Sequence, residues 1–505
     1  MNRHDGGVDL SRLTLLELVV SLREGEVSPV DAASFFLDRI DALDGLGAFV
    51  ETTRERALEQ ASALGSVRDG APALWGVPMA DKDLVARAGV PTRYGSRAFE
   101  GFVPAASDPL AEALDRLGSV SLGKTSTPEF GMTGYTEPAA GVPARNPWDP
   151  TTGAGGSSGG AAIAVAMGML PATTASDAGG SIRIPSATVG VVGLKPARGR
   201  LPFSNGLSSP GGLATAGPIT RTVADAAYLL DALVGSAPRL HATTAPDPHL
   251  AFASGGAARE AHVPEDGSVT ALLASAGPFS RALLQEPGRL RIGATLVTPW
   301  DGWTDTALDP RARAAWDWAA RVLTGSGHDV ADADWHPAGY PEMFTTIWRA
   351  SAARLPVADE DLDELLEPFT AWMVREGRSM SAYEALGGYQ AAGRFESETI
   401  DAFAPFDAVL TPALAMEPRP IGWNADGTTP LGNFARQCQY APHTSFVNVS
   451  GLPAITIPTP AEPGERPWSV QLVGRPGGEA RILQLAAQLE AARGTLPYPP
   501  SISVS

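Results

Sequence analysis

Between Gly153 and Arg200 the chain sets two glycine-and-serine turns around a short apolar run, and few folds accommodate that pattern. The first turn is GAGGSSGG (Gly153–Gly160), and the second lies in SDAGGSIRIP (Ser176–Pro185). Glycine is used where backbone must approach a neighbour closely or take positive φ, neither of which ordinary core sequence needs. Ser157 and Ser181, one in each turn, can serve as nucleophile, proton relay or anchor. The run between them, Ala161–Leu170, is stopped by Pro171 and is too short to span a bilayer, which takes about 20 apolar residues. The chain therefore reads as soluble and not inserted in membrane.

Around this stretch helical and strand patterns alternate. Thr14 with Glu17 forms a capping box, and Ser28 caps a second helix that has Pro29 at its first position. These belong to an N-terminal helical layer over residues 10–64. A core over 72–234 contains a buried strand at Leu74–Met79, a helix at Pro109–Leu117 and a strand at Ser119–Leu122. It continues with a strand at Val191–Lys195, a turn-rich segment to Gly217 and a helix from Thr222. Residues 235–400 read as a less regular insertion, with strands at Arg289–Leu296 and Asp329–Ala333 and a mostly helical part from 342. Strands at Phe406–Thr411, Pro453–Pro458 and Ser469–Gly474, then a helix at Glu479–Ala492, complete the sheet over 405–495. The pattern predicts one large α/β domain with a mixed β-sheet covered by helices on both faces.

Charge and cysteine content exclude several classes. Lys and Arg number 38 against 56 Asp and Glu, a net charge of −18 without basic runs, so nucleic acid is not an expected partner. The single cysteine, Cys438, rules out an intrachain disulfide framework and a multi-cysteine metal site, and reads as a small buried residue. Its isolation and the lack of a signal-peptide pattern in the first thirty residues fit a cytoplasmic protein.

GSSGG (Gly156–Gly160) matches the bare G-x-S-x-G elbow pattern, a weak signal in a chain with 55 glycines. The preceding NPWDPTTGAGG reads as turn sequence rather than strand. None of the seven histidines falls between Lys82 and Arg200, and His328 and His443 read as surface or packing residues. The glycines fit neither phosphate-cradling pattern. Lys82 lies near a strand end in apolar sequence, where it could be a base or pair with Asp81 or Asp83.

Taken together the motifs resemble the amidase signature family of serine hydrolases. The resemblance rests on Gly155–Gly160, on DAGGSIRIP (Asp177–Pro185) and on GVVGLKP (Gly190–Pro196). Upstream it is supported by Gly76-Val77-Pro78 with Lys82-Asp83 and by GKTSTPEFG (Gly123–Gly131). Downstream it is supported by GPITRTVADAA (Gly217–Ala227) and NVSGLPA (Asn448–Ala454).

The resemblance implies a Ser–cis-Ser–Lys triad, with Lys82 as base, Ser157 as bridging serine and Ser181 as nucleophile. A serine hydroxyl needs a base to take its proton, and a lysine serves only when neutral, so burial must lower its pKa. Backbone N–H groups of Ala178, Gly179, Gly180 and Ser181 would form the oxyanion hole, braced by Asp177 and Arg183. Gly131 and Met132 would line the substrate pocket. The implied reaction is hydrolysis of anilides, linear amides, amide oligomers or carbamates by a monomer or homodimer, with no metal or organic cofactor. Ala175-Ser176-Asp177 stands where the family usually has Gly-Thr-Asp, and Ala154 where it often has Pro. A second reading is the A component of glutamyl-tRNA(Gln) amidotransferase, although Pro210–Gly217 (PGGLATAG) lacks the SSLDQ-like run expected there.

Overall fold

Two sheets meet edge to edge and bring the motifs together. The computed structural model describes residues 3–4, 7–201, 212–236 and 268–500. His241, His249, His262 and the start of PGGLATAG lie outside the described residues.

The smaller sheet contains β1 (Phe49–Thr52), β2 (Pro78–Lys82) and β3 (Val120–Thr125), in the order β1-β3-β2, with β2 parallel to β3. The larger sheet begins with β4 (Ala172–Asp177), β5 (Val192–Lys195) and β6 (Thr215–Thr220). It adds β7 (Arg291–Ala294), β8 (Asp329–Asp332), β9 (Ala408–Pro412), β10 (Ala454–Pro458) and β11 (Ser469–Gly474). Its eight strands run in the order β8-β7-β9-β11-β10-β5-β6-β4. β7 is parallel to β8 and β9, and the other pairs are antiparallel, so the sheet is mixed as expected. The two sheets touch where β2 lies beside β4, and the Thr173 hydroxyl donates to the Ala80 carbonyl at 2.8 Å.

Helices cover both faces. One face carries α1 (Leu15–Arg23), α2 (Pro29–Ala42), α3 (Gly159–Ala166), α4 (Arg183–Val189), α5 (Val223–Ser236) and α6 (Pro310–Gly325). The other carries α7 (Tyr340–Ala352), α8 (Pro368–Ser379), α9 (Ala382–Phe403), α10 (Pro430–Tyr440) and α11 (Ser445–Val449). α12 (Glu479–Arg493) returns to the first face. The caps form as the sequence indicated. Thr14 and Glu17 bond reciprocally at the start of α1, and the Ser28 hydroxyl accepts from the Asp31 N–H ahead of α2. Among the described residues no helix is long and apolar enough to cross a membrane.

Three expectations change. The strand expected at Leu74–Met79 forms four residues later, because 74–77 turn around Gly76 at φ +75, so Lys82 is the last residue of β2 itself. The turn-rich segment before Gly217 ends in strand β6, whose backbone groups pair with β4 along its whole length. Completion of the sheet, expected from 405, starts earlier, since the strands expected at Arg289–Leu296 and Asp329–Ala333 form as β7 and β8 and extend the main sheet in parallel.

Candidate active site

Lys82 ends a fully buried strand and is itself 1% exposed. Side chains alternate along a strand, so its neighbours Asp81 and Asp83 face elsewhere. Asp81 pairs with Arg87 at 2.6 Å, and Asp83 faces Lys124 at 3.8 Å. Lys82 has no carboxylate at salt-bridge distance among the described residues. Its Nζ donates to Ser157 Oγ at 2.7 Å and to Ser176 Oγ at 3.2 Å. Burial pushes its pKa from 10.5 down to about 7, against a smaller upward pull from Asp177.

Ser157 precedes α3 in the first glycine turn, and its peptide bond to Gly156 is cis, as the resemblance implied. The next residue stitches the two turns together, since the Ser158 N–H donates to the Ser181 carbonyl at 3.2 Å. Gly131 closes the third side at φ +66. A Cβ there would lie 2.6 Å from Leu84 Cδ1 and 3.3 Å from Ser157 Oγ, so a side chain would crowd this serine as well as strain the left-handed backbone.

Ser181 sits between β4 and α4. Its hydroxyl faces the cavity and makes no hydrogen bond to a described residue. Asp177, at the end of β4, organises this turn. It takes Arg183 in a two-point pair at 2.9 Å for each bond, and it accepts from the Ile182 N–H at 3.1 Å. Burial alone would raise this carboxyl, but Arg183 outweighs burial and holds it well below the usual carboxylate range. Arg183 also donates to Asn448 Oδ1, Gln471 Oε1 and the Thr444 carbonyl, so α4 is tied to β11 and α11.

The expected set of four oxyanion donors needs one correction. The Gly180 N–H is committed to Asp177 Oδ1 at 2.7 Å, because φ +129 turns that amide inward. The N–H groups of Ala178, Gly179 and Ser181 have no acceptor among the described residues.

The cavity at Ser181 is lined by Gly131 and Met132 and by a wall of rings: Trp300, Phe344, Trp348 and Phe434. Phe344 stacks on Trp348 with centroids 5.1 Å apart, and Trp300 meets Phe344 edge-on at 5.7 Å. Cys438 also lines it, and burial pushes its thiol pKa well up, which keeps it in the unreactive form. Neither histidine weighed from the sequence lines this cavity. His328 accepts from the Leu290 N–H, and buried His443 bonds the Leu296 carbonyl with its pKa lowered by burial to about 4.

Sequence reasoning missed Ser176 as a partner of Lys82, Asn448 and Gln471 as partners of Arg183, and the aromatic wall. Part of the wall had a signal. Tyr340, Phe344 and Trp348 recur every four residues, the spacing of one helix face.

A family model described as Amidase matches residues 31–483. The Mycobacterium tuberculosis protein AmiB2 is 34% identical over 501 residues, which covers 95% of this chain and 96% of that protein. The A component of the glutamyl-tRNA(Gln) amidotransferase of Synechococcus sp. is 32% identical over 519 residues, covering 97% and 99%. Among solved structures, 6-aminohexanoate cyclic dimer hydrolase complexed with substrate superposes with a TM-score of 0.82 at 28% identity, covering 96% and 98%. With the family model spanning most of its length and relatives above 30% identity aligned over nearly all of theirs, the chain belongs to the amidase signature family, hydrolases of amide C–N bonds.

Proposed function

We propose that the protein hydrolyses uncharged amides through an acyl-enzyme on Ser181, with Lys82 as base and Ser157 as the relay between them. The observation that carries this reading is the buried Lys82 amine, 2.7 Å from Ser157 Oγ and free of a carboxylate partner among the described residues. A lysine held near neutrality can take a proton that an ordinary ammonium cannot.

Ser181 Oγ attacks the amide carbon as its proton passes to Ser157 and the Ser157 proton passes to Lys82. The Ser157–Ser181 contact is not made as a hydrogen bond in this structure, and it is the one contact the mechanism adds. Negative charge develops on the former carbonyl oxygen in front of the Ala178, Gly179 and Ser181 N–H groups. Such donors are worth about 3–4 kcal/mol each in the transition state. The proton returns through Ser157 to the nitrogen, the C–N bond breaks and the amine leaves. Water then attacks the ester on Ser181 by the same relay, and the acid departs.

The substrates that fit are anilides, linear amides, amide oligomers or carbamates, taken by a monomer or homodimer in the cytoplasm without metal or organic cofactor. The second reading, a glutaminase working within a larger complex, draws on the Synechococcus relative. Against it, none of the described residues lining the cavity is charged, whereas glutamine carries both an ammonium and a carboxylate that need partners once desolvated.

Ser181→Ala should lose at least a thousandfold in kcat on acetanilides, carbamates or primary amides, and should no longer be labelled by a fluorophosphonate. Full turnover in Ser181→Ala would reject the mechanism. Glutamine as the one good substrate, with partner proteins co-purifying, would favour the second reading.

A further inference from the structure

Ser445, at the start of α11, sits in the cavity wall beside Gly179. Its Cβ is 3.9 Å from where a Cβ on Gly179 would lie, which places it next to the N–H groups in front of Ser181. Its oxygen receives two hydrogen bonds: Trp300 Nε1 donates at 3.3 Å, and the Tyr340 hydroxyl donates at 2.9 Å. Tyr340 is wholly buried and its hydroxyl has no other partner among the described residues, so its proton has to go to Ser445. Both acceptor sites of the serine oxygen are then filled. What remains is the serine's own proton. Ser445 makes no bond back to a helix carbonyl, and no other acceptor meets it among the described residues. The Ser445 hydroxyl is therefore a donor of fixed orientation with nothing to donate to, in a wall that also holds the rings of Trp300, Phe344, Trp348 and Phe434.

Other polar groups at the cavity are already engaged. Trp348 Nε1 donates to the Met132 carbonyl at 3.1 Å, and the Thr133 hydroxyl to the Tyr135 carbonyl at 2.8 Å. Gln437 accepts from the Gly134 N–H and donates to Asn433 Oδ1. A donor left unpaired in an apolar wall costs free energy that a ligand acceptor recovers.

We infer that Ser445 is a specificity-determining residue, donating a hydrogen bond to a neutral acceptor in the acyl group one or two atoms from the scissile carbonyl. The preferred substrates are then apolar acyl groups carrying an oxygen at that position: alkoxyacyl amides or alkyl carbamates. This rests on the reading that the acyl group occupies the cavity at Ser181.

Three anilides of one shape test it by moving an oxygen along the chain: butyranilide, methoxyacetanilide and ethyl N-phenylcarbamate. Their intrinsic reactivities differ, so the readout is how each kcat/KM changes between wild type and Ser445→Ala. One or both oxygen-bearing substrates should fall about tenfold more than butyranilide, the worth of roughly one hydrogen bond. Ser445→Thr, which keeps the hydroxyl, should restore the difference. An equal fall for all three would overturn the inference and leave Ser445 only a support for Tyr340 and Trp300. Should Ser445→Ala fold poorly, the double variant Tyr340→Phe/Ser445→Ala removes the orphaned tyrosine proton and is read in the same way. Wild-type turnover in Ser181→Ala would instead fail the underlying mechanism, whatever Ser445 does.

Discussion

The strand period of two makes Lys82 a candidate base. Asp81 and Asp83 turn away to Arg87 and Lys124, and the amine is left in apolar surroundings with two serine hydroxyls. The working form is the neutral amine, present above the pKa of about 7 that burial imposes. Log kcat/KM should therefore rise about one unit per pH unit below 7 and level off above it. Lys195, also buried, is likewise lowered to about 7, but its amine bonds the Pro196 carbonyl rather than Ser157. The pH limb should survive in Lys195→Met. Lys82→Arg should be inactive across the whole profile, because a guanidinium does not deprotonate in this range. A limb persisting in an active Lys82→Arg would place the titration elsewhere. Asp177 poses the opposite problem. Asp177→Asn leaves Arg183 charged, buried and unpaired at the centre of the turn. Breaking one side of such a pair costs about 3–5 kcal/mol. Urea denaturation should show that loss, and an unchanged midpoint would mean that Arg183 does not brace the turn.

At the scale of elements, α7 builds the pocket by repeating an aromatic every four residues. Phe344 touches Tyr340, Trp348, Trp300 and Phe434, so one ring holds the wall together. Phe344→Ala should raise KM for an anilide roughly tenfold or more, the worth of a buried Phe side chain, with a smaller change in kcat. Steady-state kinetics on one anilide decides this, and a loss confined to kcat would place the ring away from bound substrate. The same elements mark how much was readable in advance. α1 and α2 begin at their capping threonine and serine because a cap is local chemistry written in three or four adjacent residues. β2 begins four residues late because Val77 and Trp75 are apolar in a turn as they would be in a strand, and only tertiary contact separates the two. β6 was hidden because Gly217 and Pro218 look like turn residues, yet they lie within the strand that pairs with β4. The serine turns were legible because glycine spacing is read directly from sequence, whereas Lys82 by itself left base and ion-pair partner open and was singled out only by the family resemblance. Trp300 and Phe434 were not, since nothing local joins residues that meet only after the sheet has formed.

Besides a small cluster around Ile184, Leu414 and Tyr440, the main sheet divides the apolar interior of the described residues into two large cores, and the alternation along single strands shows it. In β9, Ala408 and Leu410 enter one core and Val409 the other; in β11, Val470 and Leu472 face one way and Val473 the other. The first core holds α1, α5, α6 and α12. The second is the aromatic mass behind the pocket, with Trp300, Trp335 and Trp348. Because β9, β10 and β11 each serve both cores, neither can keep its shape when the sheet opens, although the pocket belongs to only one of them. Leu472 lies wholly buried in the first core, on the face away from the rings. Leu472→Ala should cost about 2–5 kcal/mol. It should lower the unfolding midpoint by the same amount whether followed by far-UV dichroism or by tryptophan emission in a background where Trp75, Trp316, Trp318 and Trp468 of the first core are replaced by Phe, so that emission reports chiefly from the second core. Two-state unfolding requires such coincidence. Separate transitions, with the tryptophan signal keeping its wild-type midpoint, would mean that the pocket-bearing core folds independently of the other face.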